Sequence, residues 1–252
     1  MIELIHGDCL EEMKNIPDDS IDAIITDPPY GTTACKWDSV IDLELMWEQL
    51  KRIIKPNGAI VLFGSEPFSS HLRMSNIKQY KYDWVWEKSK GSNFVHANFQ
   101  PLKVHETILI FSQGGSAQGS KLPMTYNPIH TAGKPYNKGV GINEQRHMSA
   151  GFTKRSTIKL INKTGDRKPR SVIYFKTSEN SGDHFHPTQK PVALMEYLIK
   201  TYTNENETVL DFTMGSGTTM VACKNLNRNG IGIELDKEYF EIAKNRIEDI
   251  LL

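Results

Sequence analysis

Apolar residues recur along this chain in two rhythms. Short, nearly continuous runs, bounded by glycine, proline, aspartate or asparagine, predict strands at Ile2–His6, Ala23–Asp27, Ala59–Phe63, Tyr82–Glu87, Thr107–Phe111, Thr208–Asp211 and Gly230–Glu234. Between them, apolar positions returning every three or four residues predict helices at Asp42–Ile54, Pro67–Asn76, Val192–Thr201, Thr218–Leu226 and Asp236–Glu248, the first closed by Lys55-Pro56-Asn57-Gly58. Strands alternating with helices of this length predict an α/β fold with a mostly parallel, doubly wound sheet and ligands at the strand C-termini. Only a short, helix-free link separates Tyr82–Glu87 from His105–Phe111, so a hairpin there would make one edge strand antiparallel.

One stretch breaks the rhythm. From Ser112 to Phe185 amphipathic periodicity is poor, and the segment opens on Gly114-Gly115-Ser116-Ala117-Gln118-Gly119-Ser120, a flexible loop by composition. The chain as a whole is balanced, with 30 basic and 30 acidic residues, but this segment carries twelve Lys and Arg against four acids. Its net charge of about +8 leaves about −8 on the remainder, the asymmetry expected when one lobe meets phosphate. Lys154, Arg155, Lys159, Lys163, Arg167, Lys168 and Arg170 form its basic core, with Tyr136, His147 and Phe152 nearby.

Asp27-Pro28-Pro29-Tyr30 ends the apolar run Ile21-Asp22-Ala23-Ile24-Ile25-Thr26. Two consecutive prolines fix the backbone and remove two N–H donors, so the carbonyls of Asp27 and Pro28 are expected to face outward as acceptors. A carboxylate, a carbonyl and an aromatic ring suit a planar group with an exocyclic NH₂: two acceptors for its N–H bonds and a ring to stack on.

A second constellation lies near the other end. Thr208-Val209-Leu210-Asp211 is followed by Phe212-Thr213-Met214-Gly215-Ser216-Gly217-Thr218-Thr219, a strand, a Gly-x-Gly turn and a helix start. Glycines there let a ligand approach the backbone closely. No Gly-Lys-Ser/Thr follows, so this is not a P-loop, and Met220 replaces the third glycine of the dinucleotide fingerprint. About 20 residues on, Gly230-Ile231-Gly232-Ile233 ends in Glu234, an acid placed to hold ribose hydroxyls.

Together these motifs resemble the amino-methyltransferases of DNA, which transfer a methyl group from S-adenosylmethionine to an exocyclic amine of adenine or cytosine. Gly7-Asp8-Cys9-Leu10, Gly58–Phe63, His105–Phe111 and His186-Pro187-Thr188-Gln189-Lys190-Pro191 are similar to further family segments, so the likeness covers most of the chain. The catalytic motif comes first and the glycine motif last, as in the permuted β group. The resemblance implies a permuted Rossmann-like fold with a seven-stranded sheet, a catalytic half (1–111), an inserted target-recognition region (112–185) and a cofactor half (186–252). It implies Asp27, Pro28, Pro29 and Tyr30 as catalytic, with Tyr30 stacked on a flipped base. Asp211, Gly215 and Gly217, with Ser216 and Thr218 in the same turn, would bind the methionine part of the cofactor. Glu234 would bind its ribose and Asp8 would lie near its adenine, while Lys190 and Thr188 would reach its carboxylate. Aspartate at position 27 favours adenine N6 over cytosine N4, which stays as the alternative. Phe212-Thr213 departs from the family's Pro-Phe, and a small change in the turn is expected. The implied partner is double-stranded DNA; a homodimer is expected by analogy, with a cognate restriction endonuclease left open.

Cys9, Cys35 and Cys223 lack C-x-x-C spacing, which argues against a zinc site or a disulfide framework. The absence of a Pro-Cys nucleophile disfavours cytosine-C5 transfer. A nicotinamide oxidoreductase fails on the third glycine and has no use for Asp-Pro-Pro-Tyr. A DNA-binding protein that has lost catalysis would show damage at Asp27, Tyr30 or the glycine turn. The N-terminal residues carry no basic-then-apolar signal and no run approaches a membrane span, so a protein of the reducing cytoplasm is expected; the resemblance implies that it is bacterial or phage-encoded.

Overall fold

A computed structural model describes residues 1–31, 39–146, 153–177 and 189–249, with the backbone alone over 139–146, 153–160 and 249. Thr188 falls outside these residues, as do His186, Trp37, Asp38, Cys35, His147 and Phe152; of Lys154, Arg155 and Lys159 only the backbone is described. By internal contacts the chain divides into a larger unit, Met1–Asn127 with Ser171–Leu252, and a smaller one, Pro128–Arg170.

The larger unit is built, among the described residues, on a sheet of eight strands: β1 (Ile2–His6), β2 (Ile21–Thr26), β3 (Ile54–Gly64), β4 (Tyr80–Ser92), β5 (Lys103–Phe111), β8 (Val172–Phe175), β9 (Thr208–Asp211) and β10 (Asn229–Glu234). Their order is β1-β10-β9-β2-β3-β5-β4-β8. There are thus eight strands where seven were expected; the addition, β8, pairs parallel with β4 at the sheet edge. Only β5 runs antiparallel to its neighbours β3 and β4. It lies inside the sheet and not at the edge as anticipated, because β4 passes beyond it to meet β8. Lys55–Gly58 do not form a separate closing turn: β3 starts at Ile54 directly after the helix, and its register with β2 shifts between Ile21 and Ala23.

The period of two in each strand separates two cores. Ala23, Ile25, Val61 and Phe63 face helices α4 (Val192–Tyr202), α5 (Thr218–Asn225) and α6 (Lys237–Asp249) through Leu194, Leu198, Met220 and Ala243. Ile24, Ile60 and Leu62 face α2 (Leu43–Ile53) and α3 (Phe68–Ser75) through Met46, Leu50, Phe68 and Leu72. Burial on both faces explains why β2 and β3 read as continuous apolar runs. Asp42 caps α2, its carboxylate accepting from Glu44 N (2.9 Å) and Leu45 N (3.1 Å).

The chain leaves adjacent strands β9 and β2 toward opposite faces, into α5 and α2 respectively. That divergence opens a crevice at their C-terminal ends, the position where open α/β sheets bind ligands.

In the smaller unit β6 (Tyr136–Arg146) and β7 (Thr153–Asn162) form an antiparallel hairpin. It is narrower than the expected 112–185 insert: Met124 is buried in the larger unit's core and β8 belongs to its sheet.

Candidate active site

A cleft of about 940 Å³ opens at the C-terminal ends of β2, β9 and β10. Asp27, Pro28, Pro29 and Tyr30 line one part of it, and Asp8, Gly215, Ser216 and Glu234 another. The volume lies at the upper end of the ordinary range for ligand pockets, roughly 300–1,000 Å³, enough for two ligands side by side.

Asp27 stands at the centre of a charged ladder. Its Oδ1 accepts from the Tyr30 hydroxyl (2.5 Å), and its Oδ2 accepts from Lys190 Nζ. Lys190 also faces Glu106 Oε2 (3.3 Å), and Glu106 Oε1 accepts from Lys88 Nζ (3.1 Å). Lys190 is buried, with its ammonium over the Phe63 ring at 5.1 Å. Burial raises the Asp27 carboxyl above its ordinary range although the Lys190 charge opposes it. Burial would lower the Lys190 ammonium, but Asp27 and Glu106 outweigh it and its pKa is raised. For Glu106 burial acts upward, and Lys190 with Lys88 outweighs it and holds the carboxyl low.

Three contacts add to what the motifs lead one to expect. Lys190 pairs with both Asp27 and Glu106. The Asp27 carbonyl is not a free acceptor, since the Thr213 hydroxyl donates to it (3.1 Å). The Tyr30 ring packs against Phe68 (centroids 5.1 Å apart, 27° between planes) while still lining the cleft.

The glycine turn is held from behind. Asp211 is 4 % exposed, and its carboxylate accepts from Thr26 Oγ1 (2.6 Å), Thr213 N (3.2 Å) and Thr219 Oγ1. Burial raises its pKa to about 6, against the lowering effect of the Thr219 and Thr26 hydroxyls. Its oxygens are thus engaged inside the protein, so it shapes the turn. Arg246 of α6 donates to the Ser216 carbonyl and to Ser216 Oγ (3.1 Å), and lies 3.4 Å from Thr218 Oγ1. Gly215 has φ +53° with nothing within 4 Å of where a Cβ would stand, leaving bare backbone toward the cleft. Gly217 has φ +77°, and a Cβ there would lie 2.8 Å from Ala243 Cβ.

Glu234 ends β10 with Oε2 accepting from Gly215 N and Oε1 from Asp236 N, both at 2.8 Å. Each oxygen keeps a lone pair for an incoming hydroxyl. Asp8 caps the short helix α1 (Cys9–Glu12) through Leu10 N (2.8 Å) and borders the same end of the cleft. Bare backbone at Gly215 beside a half-buried acceptor-only carboxylate fits a nucleoside cofactor. No group of three metal-ligating side chains occurs among the described residues, and none of their helices is long and apolar enough to cross a membrane.

Glu106, Lys88, Thr26, Thr219 and Arg246 escaped the motif reading. Only Glu106 leaves a sequence signal, a lone acid in β5 just before its apolar run Thr107–Phe111. In the smaller unit Lys163, Lys168 and Arg170 are exposed. Arg167 is different: it donates to the carbonyls of Lys134 and Gly165 (both 2.6 Å) and lies 5.0 Å over the Tyr136 ring.

The family model described as "DNA methylase" (N6_N4_Mtase) matches residues 21–245. The Type II methyltransferase M.HpaI of Haemophilus parainfluenzae is 32 % identical over 259 residues, covering 97 % of this chain and 74 % of that protein. M.HinfI of Haemophilus influenzae is 29 % identical over 276 residues, covering 98 % and 68 %. Among solved structures, M1.HpyAVI in complex with SAM (S-adenosylmethionine) aligns with a TM-score of 0.63 at 32 % identity, covering 98 % of this chain and all of that one. The cytosine-N4-specific PvuII DNA methyltransferase aligns at 0.65 with 17 % identity, covering 99 % and 90 %, a likeness of fold.

Proposed function

Because the chain belongs to the N6_N4_Mtase family of DNA methylases, we propose that it methylates the exocyclic N6 of an adenine flipped out of double-stranded DNA. It is a site-specific DNA methyltransferase that uses S-adenosylmethionine. The observation that carries the finer reading is the Asp27 carboxylate at the mouth of β2, held between Tyr30 and Lys190 on the wall of the cleft. Aspartate at this position, by the family resemblance, goes with adenine.

When bound, the cofactor supplies an electrophilic methyl group on a sulfonium. Glu234 would hold its ribose hydroxyls, the backbone at Gly215 its methionine part, and Asp8 would lie near its adenine. The nucleophile is an aromatic amine whose lone pair is delocalised into the ring. Asp27 accepts one of its N–H bonds, with the Pro28 carbonyl as second acceptor, which draws the nitrogen toward sp³ character and fixes its direction. Attack then depends on positioning, with no covalent enzyme intermediate. Lys190 opposes the effect of burial and so favours the ionised form of Asp27 before transfer; afterwards Asp27 takes the amine's proton and releases it to water. Tyr30 gives the base an apolar wall, and Lys163, Lys168 and Arg170 meet phosphate. A homodimer, a partner endonuclease and a cytoplasmic place of work complete the proposal, supported by the bacterial Type II relatives.

Incubation with labelled S-adenosylmethionine and unmethylated DNA, followed by digestion and mass analysis of nucleosides, tests the reading. N6-methyladenine, abolished by Asp27→Ala, is the expected product. N4-methylcytosine would overturn the base assignment and leave the chemistry of Asp27 standing.

A further inference from the structure

Strands β4 and β5 form a hairpin whose two ends differ in character. At the stem, Lys88, Ser92 and Glu106 line the cleft that contains Asp27. At the tip, Asn93 adopts a left-handed backbone (φ 68°) and starts the single helical turn Phe94–His96. Backbone bonds close the tip, from His96 N to Asn93 O (3.0 Å), Phe99 N to His96 O (2.9 Å) and Gln100 N to His96 O (3.0 Å). Its apolar side chains nevertheless stand in solvent: Phe94 is 60 % exposed, Val95 89 % and Phe99 89 %. Two phenyl rings and a valine within the six residues Phe94–Phe99 exceed the scattered apolar exposure of an ordinary surface. Around them the charge has one sign: from Ser89 through His105 there is no carboxylate, but Lys90 and Lys103 are present.

We propose that this turn is a wedge that enters duplex DNA beside the target nucleotide and occupies the space its base vacates. The inference rests on the DNA-methylation reading of the cleft. Swinging a base out of the duplex forfeits its stacking and pairing. An apolar side chain inserted at that step replaces the lost contact, and an aromatic ring does so regardless of sequence. Lys90 and Lys103, next to the tip, meet the flanking phosphates. Hydrogen bonding between β4 and β5, from Tyr80 opposite Phe111 to Glu87 opposite His105, holds the stem beside the cleft. A second copy of this chain is the alternative occupant, but pairing two such tips would bring like charges together.

Single-turnover methylation by Phe94→Ala, Phe99→Ala and the double variant tests the wedge on two duplexes carrying the site the wild type methylates. One duplex is fully paired; the other has an abasic position opposite the target, so that less pairing must be broken. The double variant is expected to be about tenfold slower or worse on the paired duplex and to change less than twofold on the other. With 2-aminopurine as target base, the fluorescence rise on binding should shrink in the same variant. Equal losses on both duplexes, or none on either, would overturn the wedge. So would a shift in sedimentation showing that the variants had lost a dimer. Unchanged cofactor affinity by calorimetry identifies folded variants. A wild-type protein that methylates no DNA would instead sink the reading of the cleft, and the wedge with it.

Discussion

The Thr213 hydroxyl reaches from the turn after β9 to the carbonyl of Asp27, 3.1 Å away, and also meets the Thr26 hydroxyl at 2.6 Å. It joins two motifs 186 residues apart in sequence. Thr213 therefore ties the glycine turn to the loop carrying the acceptor carboxylate.

Thr213→Val removes that tie and leaves the Asp27 carbonyl without this donor. Stability is expected to fall by about 1 kcal/mol. The methyl-transfer rate should fall severalfold while cofactor affinity stays within about twofold. Thr213→Ser should restore both. Single-turnover kinetics with calorimetry of cofactor binding separates the two effects.

Lys190 sets the acid limb of activity. Replacing it with methionine removes the cation that opposes the upward effect of burial on Asp27, so Asp27 is protonated at higher pH. The pH at which the rate falls to half should move up. Lys190→Arg, which keeps the charge, should return it toward the wild-type value. Breaking a buried pair costs about 3–5 kcal/mol, so circular dichroism must accompany the pH profile.

Asp211 should make stability fall as pH rises. Its folded pKa of about 6 lies above the unfolded value of about 3.9, so the folded state binds the proton more tightly. The resulting stabilisation is complete below about pH 4 and is lost as pH rises through about 6, by about 3 kcal/mol. Asp211→Asn lacks this dependence. Urea unfolding at pH 4 and pH 7 should show the wild-type advantage over the variant shrinking by an amount of that order. A constant difference would contradict the assignment.

Arg167 and Lys168 are neighbours with separable roles. Arg167→Gln takes two donors from the carbonyls of Lys134 and Gly165 and should ease local opening by about 1.5–3 kcal/mol. Faster hydrogen exchange at Thr131 and Arg167, which bond each other's backbones, would report it. Lys168→Gln should leave exchange unchanged and lower the salt dependence of DNA binding by about one ion.

Legibility in the sequence followed the range of each interaction. Helix α2 was readable because its apolar stripe is a local signal, although the expected closing turn at Lys55–Gly58 became the start of β3. The hairpin was readable from the short link between its strands. The place of β5 inside the sheet was not, because no local pattern states which strands become neighbours. Strand β8 escaped for a related reason: four residues with mixed exposure, Val172–Phe175, acquire their meaning only against the edge of β4.

The candidate site divides in the same way. The sequence by itself determined the motif chemistry: a rigid carboxylate loop at Asp27, a glycine turn near Gly215 and an acid ending the next strand at Glu234. Spacing and composition constrain local backbone geometry, so these features survive without coordinates. Only the tertiary structure decided who faces Asp27. Lys190 arrives from 163 residues away, Glu106 from the interior antiparallel strand, and Thr213 from the far side of the crevice. A period of two tells a side chain which face of a sheet to take; strand order decides which charges it meets at the strand's end.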